Sequence, residues 1–270
     1  MNWPISNEKH LCAVLGISRS QLYHLAEHAF EYYYSFTKTE IKKDGTIKTR
    51  EITPSERLLK AIQQKINTKI LQQIPVPDYI YGSTKGKSSI ANSKIHKGKK
   101  FHFCLDISNF FPSISNSRVN QTLLDLRFHP VIASLLTKMM TYQGHVPQGA
   151  PTSSAIANLV LYFAIDLKLE PIFKAHGITY SRYIDDLNFS SQSDFQDTIP
   201  DIISVVVNSC FKINKKKTFY KAGNVVMTGA LVGNNVLKVT EKHKLKLADP
   251  LLKESSRIGL ENYIKRLKTF

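Results

Sequence analysis

Three aspartates at the ends of apolar stretches could together hold metal ions. Asp185 and Asp186 are adjacent, in a predicted tight turn between strands at residues 177–183 and 187–190. Asp106 lies at the end of another apolar stretch. An Asp-Asp pair alone is also common in solvated turns. Carboxylates at the ends of paired strands, however, can share two Mg²⁺ ions about 3.5–4 Å apart, and Mg²⁺ takes substrate phosphates beside one or two carboxylates. One of the two ions would activate an attacking hydroxyl, and the other would neutralise the charge of a leaving pyrophosphate, as nucleotidyl transfer requires.

The chain carries a large excess of positive charge. Its 270 residues include 37 Lys and Arg against 21 Asp and Glu, a formal net charge of +16. Hydrophobic residues make up 42%, which is ordinary for a globular protein and argues against disorder. The lysines are spread along the sequence, whereas a membrane surface favours charge on one amphipathic helix. We therefore expect nucleic acid as the polyanionic partner, with solubility as the simpler alternative.

The cysteines and the apolar runs bear on the compartment of the protein. Cys12, Cys104 and Cys210 form no C-x-x-C pair, which is typical of reduced thiols in a cytosolic protein and does not indicate disulfides or a cysteine zinc site. The N-terminus lacks the basic start and apolar run of a signal peptide. No stretch reaches about 18 consecutive apolar residues. We expect a cytoplasmic protein with no membrane partner.

Hydrophobic periodicity and turn residues place the aspartates on an α+β framework. A hairpin is predicted over residues 35–52 with Lys43-Asp44-Gly45 as its turn, and short strands are predicted over 211–232. Helices are predicted at residues 7–15, 18–34, 54–71, 89–96, 117–126, 131–140, 153–169, 194–210 and 238–270. There is no G-x-G-x-x-G after a strand and no regular βαβ alternation, which argues against a doubly wound fold. The prediction is a small antiparallel sheet that bears the aspartates, with helices packed on one side.

Four stretches of the sequence resemble, in the same order, the motifs of reverse transcriptases. They are FCLDISNFFPSI at 103–114 (the first palm motif), PQGAPTS at 147–153 (the P-Q-G-x-x-x-S loop), YIDD at 183–186 (the Y-x-D-D turn) and INKKKT at 213–218 (the N-x-x-K-T element). The resemblance covers roughly residues 41–234. It implies a right-hand polymerase: N-terminal helices and fingers at 1–97, a palm at 98–235 with finger-side helices inserted around 116–142, and a short basic helical thumb at 236–270.

Two further stretches are similar to bacterial retron reverse transcriptases. SIANSKIH at 89–96 resembles their N-A-x-x-H element, with Ser93 in place of Ala, and VMTG at 226–229 resembles their V-T-G, with Met227 in place of Val. The resemblance implies an enzyme that copies part of a structured non-coding RNA into DNA. Synthesis would start from an RNA 2′-hydroxyl and leave a branched RNA–DNA hybrid. It also implies a separate effector protein and a role in anti-phage defence.

The resemblance gives the metal-site residues their expected roles. Asp106 and Asp185 would hold two Mg²⁺ ions, with Asp186 supporting them and the backbone carbonyl of Ile107 completing a metal shell. Lys217 could protonate the leaving pyrophosphate. The alternative is that the lysine run, which includes Lys215 and Lys216, is a solvated turn or one that follows phosphates.

The incoming dNTP would contact four residues by the same resemblance. The ring of Phe111 would exclude a ribose 2′-hydroxyl, with a core aromatic as the alternative, while Phe110 beside it is expected in the core. Gln148 would touch the nucleotide or the template, unless its loop is an ordinary turn. Lys48 and Arg50, on the second strand of the hairpin, would bind the triphosphate, unless the hairpin is merely solvated.

Nucleic-acid contacts are expected at two further places. Asn92 and His96 are spaced i, i+4 and share one helix face; by resemblance they would bind RNA or place the start site, with a packed histidine as the alternative. In the basic tail, Lys244 and Arg257 would follow a duplex backbone together with Lys246, Lys265 and Lys268, unless that face is only solvated.

Other functions have to be weighed against a retron enzyme. A group II intron-like or diversity-generating reverse transcriptase would share the palm motifs. An RNA-dependent RNA polymerase typically has G-D-D in the turn, and a catalytically idle nucleic-acid-binding module would not need the full set of aspartates. His24, Glu27 and His28 fit an H-x-x-E-H zinc pattern, but short patterns of this kind arise easily by chance.

Overall fold

The computed structural model describes residues 5, 7–41 and 47–268. The chain folds into two compact units, each built from two segments: Met1–Val76 with Asn109–Phe163, and Pro77–Ser108 with Ala164–Phe270. We call them the first and the second unit. The sequence-based boundaries at residues 97/98 and 235/236 both fall inside the second unit, and the division into fingers, palm and thumb stays a prediction.

The helices and strands of the described residues follow one another in a mixed order. In chain order they are α1 (Glu8–Leu15), α2 (Arg19–Glu27), β1 (Phe36–Ile41), β2 (Ile47–Ile52), α3 (Arg57–Lys69), α4 (Ser89–Lys94), β3 (Phe101–Asp106), α5 (Asn116–Asp125), α6 (Pro130–Met140), α7 (Ser153–Leu161), α8 (Leu167–Ala175), β4 (Thr179–Tyr183), β5 (Asp186–Ser191), α9 (Ile199–Asn208), β6 (Phe219–Ala222), β7 (Val225–Met227), β8 (Ala230–Gly233), β9 (Val236–Val239), α10 (Glu241–Leu247) and α11 (Glu254–Lys268).

Local signals fix the first helices of the first unit. Asn7 caps α1 by accepting a hydrogen bond from the His10 backbone, and Gly16 ends the helix with a φ of 65°, a conformation that glycine adopts without strain. Ser18 forms a capping box with Gln21 at the start of α2. α2 ends at Glu27, short of the predicted residue 34. A 3₁₀ helix at Ala29–Tyr32 follows, after which the Tyr34 backbone nitrogen bonds to Pro54.

The first unit also contains the predicted hairpin. β1 pairs with β2 antiparallel, with Phe36 opposite Ile52 and Lys38 opposite Arg50. The predicted turn at 43–45 lies outside the described residues. α3 begins at Arg57, three residues later than predicted, and packs with α1 and α6. Its Gln63, which is buried, donates to the Tyr33 hydroxyl and to the Met139 carbonyl, both at 2.6 Å.

A four-stranded antiparallel sheet is the centre of the second unit. Its strand order is β4-β5-β3-β6. One face carries the ring of Phe173 from α8, stacked on Tyr180, and α8 packs against α9. The predicted helix at 153–169 is divided into α7 and α8 by a π-helical segment, Tyr162–Asp166, and runs on to Ala175 with Pro171 inside it.

A second sheet, in the order β7-β8-β9, lies over a separate hydrophobic cluster of the same unit. The cluster joins α4, β3, this sheet and α11, and its buried members are Ile90, Cys104, Val225, Met227, Ala230, Val232 and Leu267. The prediction of a helical tail from residue 238 was wrong at its start, because β9 pairs with β8 through Val239. Helices α10 and α11 follow. Within residues 5, 7–41 and 47–268, every helix is too short or too polar to cross a lipid bilayer.

Candidate active site

The three aspartates converge at one end of the four-stranded sheet. β3 and β5 are paired so that Asp106 lies directly opposite Asp186. The backbone nitrogen of Ile107 donates to the carbonyl of Asp185 at 3.2 Å. Because β4 ends at Tyr183 and β5 begins at Asp186, Asp185 lies in the turn between the two strands, as predicted. The Asp106 residue is only 4% exposed. Directly opposite residues point to the same face of an antiparallel pair, which places the Asp106 and Asp186 side chains together.

The segment before β6 wraps around Asp106. Asn214 donates from Nδ2 to Asp106 Oδ2 at 3.0 Å, and its backbone nitrogen donates to the Asp106 carbonyl at 2.8 Å. The Lys217 ammonium makes an ion pair with Asp106 Oδ1. Lys215 and Lys216, between them, are exposed. The contact of Asn214 was missed by the sequence analysis, although the N-x-x-K-T spacing contained the signal.

The carboxylates of the cluster repel one another. Burial, reinforced by the charges of Asp185 and Asp106, raises the pKa of Asp186 to about 7. Burial by itself lowers the pKa of Lys217, but the hydrogen bond to Asp106 and the charges of the three aspartates outweigh it, so that this pKa is raised. The ammonium thus stays protonated and neutralises only part of the cluster.

The donor set fits a hard divalent cation that is completed by substrate. In the part of the chain that the structure describes, no three or more His, Cys, Asp or Glu side chains are arranged to hold a metal ion by themselves. Mg²⁺ commonly takes only one or two carboxylates and completes its shell with water and substrate phosphates. The mutual repulsion recorded in the pKa of Asp186 is what a bound cation would remove. The role of the Ile107 carbonyl stays a prediction.

The turn that carries Asp185 has a strained backbone. Ile184 has a φ of 59°, a region that β-branched residues rarely occupy. Gly82 packs against it so closely that a Cβ atom on Gly82 would lie 2.5 Å from the Ile184 nitrogen. The backbones of Tyr81 and Arg182 also bond at 2.8 Å. Only glycine therefore fits at position 82, and the loop at 79–82 supports the turn.

The predicted nucleotide-binding residues all belong to the first unit. Phe111 is partly exposed, with its ring 5.1 Å from that of Phe110, and Phe110 is buried as predicted. The carbonyl of Gln148 accepts from the Thr53 backbone at 2.7 Å. A Cβ on Gly149 would lie 3.0 Å from the Ile52 side chain. The Gln148 loop therefore contacts the base of the hairpin.

Arg50 and Lys48 share one face of the hairpin with a lysine that the sequence analysis missed. Lys38 lies directly opposite Arg50, and Glu40 lies opposite Lys48. The same face continues through Phe36 opposite Ile52, the residue that meets Gly149. Lys38 and Arg50 are exposed and Lys48 is partly so. The pairing of the two strands, which puts Lys38 beside Arg50, was the signal that could have identified it.

Asn92 and His96 lie inside the second unit rather than on its surface. Both are 0% exposed. The two ring nitrogens of His96 bond to the hydroxyls of Ser190 and Ser181, both at 2.7 Å. Asn92 donates to Thr228 Oγ1 at 3.2 Å. The packed-histidine alternative fits this arrangement, and the two stretches with retron resemblance contact each other.

The two tail residues differ in their contacts. Lys244 is exposed and pairs with Glu241 at 2.7 Å. The Arg257 guanidinium donates to the carbonyls of Leu247 and Asp249, both at 2.8 Å. It therefore joins the end of α10 to α11, while Lys244 is accessible to a ligand.

The H-x-x-E-H residues lie on or just after α2. His28 Nδ1 bonds to Glu31 at 2.9 Å, and the rings of His24 and His28 are 4.6 Å apart. Glu31, and not the Glu27 of the pattern, is thus the carboxylate that contacts a histidine.

Comparison with known proteins identifies relatives of the chain. A family model described as reverse transcriptase (RNA-dependent DNA polymerase) matches residues 41–240. The chain is 34% identical over 252 residues to the Retron Se72 reverse transcriptase of Salmonella heidelberg (strain 579083-10), which covers 89% of this chain and 65% of that protein. It is 29% identical over 223 residues to the Retron Ec86 reverse transcriptase of Escherichia coli, with 80% and 67% covered.

A third relative is the Retron Mx65 reverse transcriptase of Myxococcus xanthus. It is 29% identical over 280 residues, with 94% of this chain and 64% of that protein covered. The chain therefore spans 64–67% of the length of these three curated relatives.

Proposed function

Since the chain belongs to the reverse transcriptase family, we propose that it is an RNA-directed DNA polymerase of the retron type. The observation that carries the proposal is the cluster of the buried Asp106 with the partly exposed Asp185 and Asp186 at the end of paired strands. Its residual negative charge, with the pKa of Asp186 raised to about 7 mainly by burial, suits binding of divalent cations. The proposed cofactor is two Mg²⁺ ions, which would neutralise charge on the attacking and leaving oxygens.

The aspartates act by fixing oxygen atoms in place. Asp106 and Asp185 provide the carboxylates, and the Ile107 carbonyl completes the donor set. Asp106 is held by Asn214, so its orientation is set before a cation binds. Asp186 is partly protected from solvent and is a supporting residue beside these two carboxylates. Because the Lys217 ammonium contacts Asp106, binding of a cation to that carboxylate requires the ammonium to move.

Lys217 is the group that can deliver a proton. Its pKa, which burial lowers, is raised overall by Asp106, Asp186 and Asp185, so it carries a proton at neutral pH. Once released from Asp106, it would donate that proton to the leaving pyrophosphate. General acids of this kind contribute about 10²–10⁴-fold to rate.

The dNTP is bound by the hairpin face and by two loop residues. Lys38, Lys48 and Arg50 provide cations for the triphosphate, and Arg suits bidentate contacts with phosphate. Gln148 contacts the nucleotide or template base. Phe111 places its ring under the sugar and excludes a 2′-hydroxyl.

The template and primer lie in a structured non-coding RNA. Synthesis starts from an RNA 2′-hydroxyl, and the product is a branched RNA–DNA hybrid. The RNA contacts include Lys215, Lys216 and Lys244, whose side chains are exposed. Asn92 and His96 contribute from inside the protein by holding α4 in place. A separate effector protein, a cytoplasmic location and a role in defence against phage belong to the same proposal.

Primer extension on an RNA template, with dNTPs and Mg²⁺, tests the polymerase activity. Wild-type protein should make DNA, and the matched variant Asp106→Asn should not. If the wild type makes no product, while a known reverse transcriptase does so in the same mixture, the chain is an idle nucleic-acid-binding module.

The nucleic acid that co-purifies with the protein tests the retron assignment. We expect a branched RNA–DNA hybrid. It is recognised because its RNA and DNA do not separate completely until the branch is cleaved. If the protein extends primers but yields only linear nucleic acid, an intron-like or diversity-generating enzyme is favoured.

Sugar discrimination tests Phe111. Replacement of Phe111 by Ala or Val should raise rNTP incorporation relative to dNTP, because the clash with the 2′-hydroxyl is removed. Phe111→Tyr keeps the ring and serves as the control. An unchanged rNTP/dNTP ratio in the Ala variant would refute the role.

A further inference from the structure

A fully buried ion pair lies beside the catalytic turn. Arg182 of β4 and Asp166 at the end of the π-helical segment are both 0% exposed. Arg182 Nε lies 3.1 and 3.0 Å from the two carboxylate oxygens, and Nη2 lies 2.8 Å from Oδ2. Tyr180 donates its hydroxyl proton to Oδ1 at 2.7 Å. The carboxylate is thereby saturated, and the orientation of the guanidinium is fixed.

The remaining arm of the guanidinium reaches the turn. Arg182 Nη1 donates to the carbonyl of Ile184 at 3.1 Å. Ile184 is the residue with left-handed backbone, φ 59°, immediately before Asp185 and Asp186. Gly82 also lies against the backbone of Ile184, so close that a side chain at position 82 would clash with it. Two independent contacts therefore hold the one strained residue of the turn.

Stability alone does not account for these buried charges. Desolvation of a buried pair offsets its attraction, and replacement of such pairs by apolar residues of similar volume is often neutral or stabilising. Burial alone would lower the pKa of Arg182, but the Asp166 charge outweighs it and raises this pKa. The guanidinium therefore remains charged inside the protein, and its fork of donors is what an apolar side chain would lack.

The backbone at Asp166 gives a second indication of function. The helix from Ser153 to Ala175 opens into a π-helical segment over Tyr162–Asp166 and then returns to α geometry. Single π-helical turns within α-helices are frequent at functional sites. This one ends at the residue that holds Arg182.

We propose that Arg182, held by Asp166 and Tyr180, is a positioning residue that fixes the Ile184 carbonyl and thereby the catalytic turn. The guanidinium acts through the backbone and contacts no substrate. Resting on the proposed polymerase function, this role predicts that loss of Arg182 misplaces the Asp185 and Asp186 carboxylates. Removal of groups that orient metal ligands typically costs about 10–100-fold in metal affinity or activity.

The decisive variant removes the charges together. Asp166→Leu, Tyr180→Phe and Arg182→Met replace the whole cluster by apolar side chains, and Leu has the same number and branching of side-chain heavy atoms as Asp. A matched control is Glu170→Gln with Lys174→Gln, which removes an ion pair of 2.5 Å on the exposed side of α8. Arg182→Lys is a further variant that keeps the charge but cannot bond Asp166 twice and reach Ile184.

Three quantities are measured on the 270-residue chain: the thermal midpoint, the rate of primer extension against Mg²⁺ concentration, and amide hydrogen exchange in the peptide covering 183–187. We expect the triple variant to fold, to extend primers about 10–100-fold more slowly with a higher half-maximal Mg²⁺, and to exchange faster at the turn. The control pair should match the wild type in all three. Arg182→Lys should give values between those of the triple variant and the control pair in all three quantities. If the triple variant does not fold, the Arg182→Lys values decide whether Arg182 positions the turn.

The outcomes separate this inference from the proposed function. If the wild type and the triple variant extend primers equally, with the same Mg²⁺ dependence, the positioning role is overturned and the polymerase stands. If the wild type makes no DNA, the polymerase fails, and hydrogen exchange alone decides whether Arg182 holds the turn. Unchanged exchange at 183–187 in a folded variant contradicts the inference in either case.

Discussion

Two neighbouring residues of β4 organise buried polar clusters of opposite kinds. Arg182 faces Asp166 and Tyr180, a cluster with full charges. Ser181 faces the other side of the sheet, where its hydroxyl bonds to the neutral ring of His96. Successive strand residues point to opposite faces, so one strand separates the two clusters. The charged cluster contacts the turn that carries Asp185, whereas the neutral one joins the end of α4 to β4 and β5.

From this difference we expect the charged cluster to affect function and the neutral cluster to affect stability. Burial, with smaller contributions from His102 and Lys99, lowers the pKa of His96 to about 3, so its ring is neutral near pH 7 and costs less to bury than an ion. At the end of the same sheet, burial and the neighbouring aspartates raise the pKa of Asp186 to about 7. Changes near the turn should therefore act on catalysis, and changes near His96 on folding.

The largest effect is expected at the turn itself. Asp185→Asn removes a proposed metal-ligand charge but keeps the shape of the side chain. Primer extension should fall by about 10³-fold or more, because several kcal/mol of charge stabilisation are lost. The thermal midpoint should stay the same or rise, since repulsion within the cluster is reduced. A variant that loses activity only in proportion to its loss of folded protein would contradict the division between the two clusters.

The next largest effect is a pH dependence of stability that comes from His96. A histidine whose pKa falls from about 6.5 unfolded to about 3 folded stabilises the protein fully above pH 6.5. That contribution is lost as the pH decreases from 6.5 towards 3, at about 1.4 kcal/mol per pH unit. His96→Gln can still hydrogen-bond to serine but does not titrate. Urea unfolding from pH 7.5 to 4.5 should therefore show a flatter profile for this variant.

The control for that profile is another histidine of the second unit. His176 is exposed at the end of α8, and His176→Gln should reproduce the wild-type pH dependence. Parallel wild-type and His96→Gln curves would show that the ring is not kept neutral by burial. Such curves would contradict the proposal that His96 stabilises the protein as a buried neutral ring.

Replacement of Asp186 should cost less activity than replacement of Asp185. Asp186 should also make stability depend on pH in the direction opposite to His96. As a supporting group, its replacement by Asn should slow extension by about 10–100-fold. An acid whose pKa rises from about 3.9 unfolded to about 7 folded destabilises the protein as it ionises. Without divalent cations, stability should therefore decrease as the pH rises from 4 to 7.

Asp186→Asn should remove that decrease, as measured by urea unfolding in a chelating buffer. Because the contributions of His96 and Asp186 to stability change with pH in opposite directions, each variant is compared with the wild type at every pH. Equal activity losses for Asp185→Asn and Asp186→Asn would contradict the supporting role.

The sequence predicted the aspartate cluster well because its signals are local and ordered. Apolar runs placed Asp106 and the Asp185–Asp186 pair at strand ends, and the four ordered motifs identified the reverse transcriptase family, which the family model confirms. The stretches at 89–96 and 226–229 predicted the retron type, to which the curated relatives are similar. Asn7 and Ser18 cap α1 and α2 within one helical turn, so the predicted helices at 7–15 and 18–34 begin within one residue of the observed starts.

The rest depends on contacts that a one-dimensional pattern does not contain. Arg182 and Asp166 lie 16 residues apart and meet only because β4 turns that side chain towards α8. The i, i+4 spacing of Asn92 and His96 identified a shared helix face but not what covers it. β9 was predicted as the start of a helix, because a four-residue strand gives little periodicity and its stability comes from pairing with β8.

The smallest effect is expected where α4, whose end the neutral cluster joins to β4 and β5, contacts the end of β7. Ser93, which occupies an Ala position of the retron element, is 0% exposed, and its hydroxyl lies 2.8 Å from the Met227 carbonyl and 2.7 Å from Thr228 Oγ1. Ser93→Ala should lower the free energy of unfolding by about 1 kcal/mol, because Met227 and Thr228 lose one partner. Primer extension should be unchanged, as should both quantities in the exposed control Ser256→Ala. A loss of activity in Ser93→Ala without a loss of stability would mean that the α4 side of the sheet also acts on catalysis, and the contrast between the two faces of β4 would fail.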